Sequence, residues 1–280
     1  ELAVRGLRGD ADISTAPDLD NANEGNDTRY FVEKRAFAVR FFFRAKGNYG
    51  STAKKLVRCC LTERRISMQQ NPMIYQLYAV TAPAADLAEQ VKRAIAGGIT
   101  MLQIREKNCT TKRRIELAYP ILQLCRDAGI PCIIDDDAEA AKILGADGVH
   151  VGQRDMKIQQ AREILGDQAI IGTSAHNVAE ALQAERDGAT YLGCGAVFST
   201  RTKHDATFLP HDVLCDIRQA VSIPVVAIGG INAQNIPKLY DTGIDGVAVV
   251  SAVFGQPNVE AAAQAMRELT APFQQKEQGR

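Results

Sequence analysis

The sequence predicts a (β/α)8 barrel of the TIM type with a poorly structured N-terminal extension. Beyond residue 73, eight short segments are apolar at nearly every position, which is typical of parallel strands covered on both faces. Amphipathic segments separate them, and glycine-containing turns stand at the junctions. The count of eight, and the lack of a GxGxxG motif after the first strand, disfavour an open doubly wound sheet.

The predicted elements follow each other in strict alternation. The predicted strands are residues 76–81, 101–105, 132–135, 148–151, 170–173, 191–195, 225–228 and 246–250. The predicted helices are residues 85–96, 112–128, 156–165, 177–187, 210–220 and 234–242. Asp137, Asp155 and Asn177 stand where helix N-caps are expected, since their side chains can accept hydrogen bonds from free N–H groups. Gly129, Gly145, Gly188 and Gly243 stand where helix C-caps are expected.

Charge and composition divide the chain near residues 68–73. Residues 1–28 carry 2 basic and 7 acidic residues, and residues 29–65 carry 11 basic and 2 acidic ones. Residues 73–280 carry 20 basic and 24 acidic residues. We therefore predict three parts: an extension over 1–72, disordered or not native to the enzyme, a barrel over 73–271, and a C-terminal tail over 272–280.

The overall composition excludes several classes of protein. The formal net charge is zero, which argues against a globally basic nucleic-acid binder. No apolar run approaches the roughly 18 residues that a membrane-spanning helix needs. The seven cysteines show neither disulfide-framework nor zinc-site spacing, which favours a reducing, cytoplasmic location. The sequence leaves open whether the protein forms a homo-oligomer.

The first candidate site follows the second predicted strand. In a TIM barrel, functional residues stand where strands end and the following loops begin. Gln103 and Arg105 share one face there, and Lys107 follows at the rim. Two cations and an amide suit a phosphate or diphosphate group. The alternative is a solvated cluster of salt bridges.

Carboxylates follow the third and fourth strands. Asp135, Asp136 and Asp137 are consecutive, and Asp137 can serve as a helix cap. Asp136 and Asp155 come from successive units and could share one hard cation, for which Mg²⁺ fits their oxygen ligands. His150 ends the fourth strand, and a lone histidine there is more often a buried hydrogen-bonded residue than a ligand.

A second anion site is predicted across the barrel mouth. The loop after the sixth strand is dense in hydroxyl and cationic donors, and a hydroxyl ends the fifth strand. Glycine-rich turns end the seventh and eighth strands, where TIM barrels recurrently bind phosphate. The residues concerned are Thr200, Thr202, Gly230, Val250 and Ser251. Lys203 would instead join Arg105 and Lys107 in the first site, and Ser174 could bind phosphate or cap the next helix. Two facing anion sites suggest that two phosphorylated molecules are joined with loss of diphosphate.

Seven motifs together resemble the thiamine phosphate synthase family. They are QIREK, DDD, GADGVHVGQRD, IGTSAH, FSTRTKHDA, VVAIGGI and GVAVVSAVF, in family order from residue 73 to about residue 270. The resemblance implies a (β/α)8 barrel that couples 4-amino-2-methyl-5-(diphosphooxymethyl)pyrimidine to a thiazole phosphate. The products are thiamine phosphate and diphosphate. It also implies a dissociative mechanism without a covalent protein nucleophile.

The resemblance also implies roles for single residues. The residues expected to contact the pyrimidine diphosphate are Gln103, Arg105, Lys107, Asp135, His150, Ser174 and Lys203. The residues expected to hold the thiazole phosphate are Thr200, Thr202, Gly230, Val250 and Ser251. Arg105, Lys107 and Lys203 would be catalytic, and Asp136 and Asp155 would hold Mg²⁺.

Two features depart from the family pattern, and two other functions compete. The loop after the sixth strand usually carries prolines where this chain has Ala196 and Ser199. The family commonly has Asn where this chain has Asp135, and an amide donates to a phosphate oxygen whereas an ionised carboxylate cannot. A thiazole tautomerase-like paralogue would need the thiazole phosphate site alone. A thiazole-phosphate-binding regulator could use the basic residues 29–65 to contact nucleic acid.

Overall fold

The computed structural model describes residues 64–66, 68, 71–107, 109–153, 155–200 and 207–278, all of which fall within one compact unit, Arg58–Arg280. The predictions for the extension before residue 64, and for Thr202 and Lys203, lie outside the described residues.

Eight parallel strands form a closed barrel in which each strand pairs with the next and the last pairs with the first. The strands are β1 Leu77–Val80, β2 Met101–Ile104, β3 Cys132–Asp135, β4 Gly148–Val151, β5 Ile170–Ala175, β6 Tyr191–Cys194, β7 Val225–Ile228 and β8 Gly246–Val249. The predicted TIM barrel is therefore confirmed, and all eight predicted strands are present within one or two residues of their predicted ends.

Helices cover the outside of the barrel. They are α1 Leu87–Ala96, α2 Thr111–Ala128, α3 Ala138–Leu144, α4 Ile158–Leu165, α5 Val178–Arg186, α6 His211–Ala220 and α7 Val259–Leu269. A short 3₁₀ helix, Ile236–Leu239, stands between β7 and β8, and another, Ala271–Gln278, follows α7. Among the described residues, none of the helices combines the length and apolar character that crossing a membrane requires.

The strands bury both faces, as their composition predicts. One apolar cluster lies between the strands and the surrounding helices and includes Leu102, Ile134 and Val247. A second cluster fills the barrel and includes Tyr78, Met101 and Tyr191. Because side chains alternate along a strand, positions two residues apart share a face, so Gln103 faces inward with Met101.

The caps of the helices follow local sequence in most places. Asp137 accepts a hydrogen bond from Ala140 N at 2.8 Å, and Asn177 accepts one from Glu180 N at 2.8 Å. Gly129 and Gly145 follow α2 and α3 with φ of 74° and 64°, the left-handed conformation that glycine adopts without strain. These predicted caps are confirmed.

Two local predictions were wrong. The helix predicted over 234–242 is only the 3₁₀ turn Ile236–Leu239, because Pro237 lacks an N–H group and Asn232 and Asn235 hold the preceding chain in a turn. Asp155 does not cap α4, which begins at Ile158 with Lys157 as its N-cap residue. The Asp155 carboxylate instead accepts a hydrogen bond from Gly152 N at 2.8 Å.

Both predicted flanking segments have described residues that contact the barrel. Phe273, in the predicted tail, is buried against Tyr240 with ring centroids 5.4 Å apart. Met68, in the predicted extension, is buried in the cluster that fills the barrel. Arg64 donates to Asp147 Oδ1 at 3.1 Å and to Ile130 O at 2.8 Å, at the end of the barrel where β3 and β4 begin.

Arg64→Ala is expected to lower the free energy of unfolding by about 1–3 kcal/mol, because Asp147 is only 2% exposed and loses a charged partner. Urea denaturation followed by circular dichroism measures the change. Arg93→Ala is the matched control, since the Arg93–Glu89 pair is exposed and is expected to contribute less than about 0.5 kcal/mol. Equal stability losses in the two variants would contradict the anchoring role of Arg64.

Candidate active site

A cluster of two cations and two carboxylates lies where β2 and β3 end. The Lys107 ammonium nitrogen is 3.0 Å from Asp135 Oδ2 and also contacts Asp136 Oδ2. Arg105 Nε is 3.7 Å from the same Asp135 oxygen. Neighbouring parallel strands bring these residues together, because Gln103 and Ile133 are in register. Of the predicted diphosphate and metal residues, the structure therefore joins four in one charged cluster.

Asp135 is the buried member of this cluster. It is 6% exposed, and its Oδ2 atom accepts no hydrogen bond of good geometry from the described residues. Burial, together with repulsion from Asp136, raises the pKa of the Asp135 carboxyl, and the attraction of Lys107 and Arg105 opposes this only in part. The charged form of the buried Asp135 carboxyl is thus stabilised by the neighbouring cations Lys107 and Arg105.

The pKa of Lys107 is also raised, but here the neighbouring charges dominate over burial. Burial would lower the pKa of its ammonium group, but the carboxylates of Asp136 and Asp135 outweigh burial and raise it. Lys107 is therefore fully charged at neutral pH. Because its side chain is still 44% exposed, it remains accessible to an anionic ligand.

The backbone around Asp136 is held in an uncommon conformation. Asp136 has φ of 61°, the one non-glycine residue with positive φ among the described residues. Its N–H donates to His150 O at 2.9 Å, and Asp137 N donates to Asp135 O at 2.8 Å. Left-handed backbone in a non-glycine residue costs free energy and concentrates at functional sites.

A second layer of contacts fixes the loop behind this cluster. The Asp137 carboxylate accepts hydrogen bonds from Thr111 Oγ1 at 2.8 Å and from Arg114, and Arg114 also donates to Glu106 O at 2.9 Å. Hydrogen bonds from Ala140 N, Thr111 and Arg114 outweigh burial and lower the pKa of the Asp137 carboxyl. These supporting residues of α2 are not apparent from the sequence, because only the fold brings them next to Asp137.

The predicted metal ligands are not equally placed. Asp136 belongs to the charged cluster, whereas Asp155 is exposed and hydrogen-bonded within its own loop. Within the described part of the chain, no group of three or more His, Cys, Asp or Glu side chains forms a metal-binding cluster.

His150 and Ser174 lie inside the barrel mouth, where His150 contacts the buried Tyr191. His150 Nε2 is 3.2 Å from Ser174 Oγ, and His150 Nδ1 is 3.0 Å from the hydroxyl of Tyr191. Gln103, 5% exposed, donates to the hydroxyl of Tyr78 at 2.9 Å. Sequence reasoning missed both tyrosines, although each occupies a strand position that faces the barrel interior, as the predicted residues do.

The described residues predicted to bind a phosphate lie in the loops after β6, β7 and β8. Gly230 has φ of 68°, and a Cβ atom there would lie 2.3 Å from Ser199 O, so only glycine lets these two loops meet. Val250 and Ser251 lie at the start of the turn after β8, where Phe254 N donates to Val250 O at 2.9 Å. Within the described residues, the N–H groups of Gly230, Ser251 and Ala252 donate no hydrogen bond and are available to an anion.

Asparagines shape the β7 loop around Gly230. Asn235 Nδ2 donates to Gly230 O at 2.8 Å, and Asn235 Oδ1 accepts from Asn232 N at 2.9 Å. Thr200, at the edge of the described part of the β6 loop, is partly exposed. The sequence predicted the glycine turn but not the asparagine pair that holds it.

Comparison with known proteins identifies close relatives of this chain. The family model described as thiamine monophosphate synthase matches residues 77–253. The thiamine-phosphate synthase of Chloroflexus aurantiacus is 46% identical over 207 residues, which cover 72% of this chain and 95% of that protein. The thiamine-phosphate synthase of Clostridium acetobutylicum is 43% identical over 199 residues, covering 70% and 94% of the two chains.

A solved structure shows the same fold. Thiamine phosphate pyrophosphorylase from Pyrococcus furiosus superposes with a TM-score of 0.68 at 39% sequence identity, covering 72% of this chain and 98% of that one. The matched region contains β1 to β8 and every described residue of the candidate site. The chain therefore belongs to the thiamine monophosphate synthase family.

Proposed function

We propose that the chain is a transferase that joins 4-amino-2-methyl-5-(diphosphooxymethyl)pyrimidine to a thiazole phosphate, giving thiamine phosphate and diphosphate. The observation that carries the proposal is the cluster of Arg105, Lys107, Asp135 and Asp136 at the end of the barrel that also carries a separate set of N–H groups that donate no hydrogen bond within the described residues. Relatives at 43–46% identity that bear the name thiamine-phosphate synthase support the same reaction.

The residues around the charged cluster would bind the pyrimidine diphosphate. Lys107 and Arg105, with Lys203 from the β6 loop, would neutralise the charge that develops on the diphosphate as its carbon–oxygen bond breaks. The diphosphate leaves with the electron pair, and the thiazole nitrogen then supplies the pair for the new carbon–nitrogen bond. This exchange needs no proton transfer and no covalent enzyme intermediate, so the protein contributes charge and alignment.

The thiazole phosphate would occupy the other side of the mouth. Gly230, Val250 and Ser251 would bind it through main-chain N–H groups, and Thr200 and Thr202 through their hydroxyl groups. Holding the thiazole in a separate, rigid subsite raises the effective concentration of its nitrogen at the reacting carbon.

The predicted carboxylate ligands also have the chemistry that suits a Mg²⁺ ion. Asp136 and Asp155 offer hard oxygen ligands, and Mg²⁺ is commonly held by one or two carboxylates together with substrate phosphates rather than by a complete protein cage. The buried Asp135 carboxylate, which Lys107 contacts at 3.0 Å, adds negative charge next to Asp136. When bound, Mg²⁺ would offset charge on the diphosphate group.

The competing functions have less support. A thiazole tautomerase-like enzyme needs no cluster of cations for a diphosphate, and the relatives cited above bear the name of the synthase. Small-molecule substrates follow from the family. Assembly into a homo-oligomer and a cytoplasmic location stay predictions. Contact of the basic residues 29–65 with nucleic acid stays a hypothesis of the same kind.

A single assay tests the function. Purified protein, mixed with both phosphorylated precursors and Mg²⁺, is expected to release diphosphate and form thiamine phosphate in equal amounts. Reactions lacking either precursor are expected to give no thiamine phosphate. Conversion of the thiazole phosphate alone would favour the isomerase. Full activity of a chain lacking residues 1–63, which keeps Arg64, would argue against a regulator that depends on the extension.

A further inference from the structure

A continuous chain of hydrogen bonds crosses the interior of the barrel. Gln103 Nε2 donates to the Tyr78 hydroxyl at 2.9 Å, and the Tyr78 and Tyr191 hydroxyls are 2.8 Å apart. The Tyr191 hydroxyl is 3.0 Å from His150 Nδ1, and His150 Nε2 is 3.2 Å from Ser174 Oγ. This chain of hydrogen bonds therefore connects three predicted substrate contacts through two tyrosines that were not themselves predicted to contact a substrate.

The sequence makes room for this chain with two glycines. A Cβ atom on Gly172 would lie 2.1 Å from Cζ of Tyr191. A Cβ atom on Gly193 would lie 3.1 Å from Cε1 of His150. Both glycines occupy inward-facing strand positions, so the two rings fill space that any other residue would occupy.

Burial fixes the direction of the hydrogen bonds. Tyr78 is 2% exposed and Tyr191 is fully buried, and burial raises the pKa of each hydroxyl, so both carry their protons. Tyr78 accepts from Gln103, and the acceptor left for its own hydrogen among the described residues is Tyr191. Tyr191 must then donate to His150 Nδ1, since an undonated buried hydroxyl would cost free energy.

The consequence appears at Ser174, the partly exposed end of this chain of hydrogen bonds. A His150 ring that accepts at Nδ1 is neutral and carries its proton on Nε2. That N–H donates to Ser174 Oγ, which leaves the Ser174 hydroxyl hydrogen for a ligand. Ser174 is partly exposed, so this hydrogen can reach an oxygen of the bound substrate.

We propose that Tyr78 and Tyr191 are positioning residues that lock His150 in the Nε2–H tautomer and so orient the Ser174 hydroxyl as a donor toward the pyrimidine diphosphate. The choice of ligand rests on the proposed function. The tautomer does not, because it is argued from hydrogen bonds among the described residues of the protein.

Nuclear magnetic resonance tests the tautomer without substrate. The chain has four histidines, so long-range ¹H–¹⁵N correlations of histidine-labelled protein give few signals, and a His150→Gln variant assigns the one of interest. We expect His150 to carry its proton on Nε2 in the wild type. In Tyr191→Phe, we expect a mixture of both tautomers. A wild-type His150 protonated on Nδ1 would overturn the proposal, whatever the enzyme's activity.

Kinetics tests the effect on the substrate. Tyr191→Phe is expected to lower kcat/KM for the pyrimidine diphosphate about tenfold and to leave KM for the thiazole phosphate within about twofold of wild type. Tyr75→Phe is the matched control, since Tyr75 is buried with its ring centroid 5.3 Å from that of Tyr191 but lies outside the chain of hydrogen bonds. An equal loss in both variants would overturn the positioning role.

A double variant separates positioning from a merely structural effect. If Tyr191 acts through Ser174, then adding Tyr191→Phe to Ser174→Ala lowers kcat/KM no further. Independent, additive losses would overturn the proposal. If Tyr191→Phe does not fold, Tyr78→Phe breaks the same chain one step earlier and is expected to give the same mixture of tautomers. Absence of diphosphate release in the wild type would reject the proposed function while leaving the tautomer measurement decisive.

Discussion

Lys107→Ala is expected to lower turnover about 10²–10³-fold, because it removes a positive charge that would stabilise the leaving diphosphate. Its ammonium group contacts both Asp135 and Asp136, so its loss also leaves two adjacent carboxylates facing an anionic substrate. Lys203→Ala is expected to have a loss of similar size while leaving thiazole phosphate binding intact. Steady-state diphosphate release measures turnover, and calorimetric titration measures thiazole phosphate binding.

Asp135→Asn is the matched control for Lys107→Ala, since it changes charge in the same cluster in the opposite sense. It introduces the residue that the resemblance to the family implies for this position, and an amide can donate to a diphosphate oxygen. We expect an unchanged or lower KM for the pyrimidine diphosphate. Near-normal turnover in Lys107→Ala would contradict the role of the cluster.

Gly172→Ala is expected to destabilise the fold by about 3 kcal/mol or more, because the new methyl group would overlap the buried ring of Tyr191. Tyr191 cannot move aside freely, since its hydroxyl contacts both Tyr78 and His150 and its ring packs on Tyr75. Thermal and urea denaturation measure the loss.

Gly129→Ala serves as the comparison for Gly172→Ala. Gly129 has φ of 74° but no atom within 4 Å of an added Cβ, so alanine there adds only backbone strain, about 1 kcal/mol. The difference between the two variants isolates the steric overlap with Tyr191. A Gly172→Ala protein as stable as wild type would show that the barrel interior can rearrange around that ring.

Local chemistry explains why most elements could be predicted. A barrel strand is covered on both faces, so the apolar run in β3 identifies it as a strand without knowledge of its neighbours. Gly129 ends α2 in a left-handed conformation that other residues adopt only with strain. The errors arose where one local signal competes with another, since the deciding contacts join residues only three positions apart. Asp155 looked like a helix cap, but its carboxylate bonds to Gly152 instead, and the asparagine turn before Pro237 left only a 3₁₀ helix.

The sequence by itself determined the alternation of strands and helices, the family, and the residues that stand at the strand ends. These follow from periodicity and from residue types at fixed places along the chain. Only the tertiary structure decided which of those residues meet: that Lys107 joins Asp135 to Asp136, and that Tyr78 and Tyr191 connect Gln103 to His150. The reason is physical, since closure of the barrel brings together strands distant in the chain, and burial then forces each polar group to find a partner.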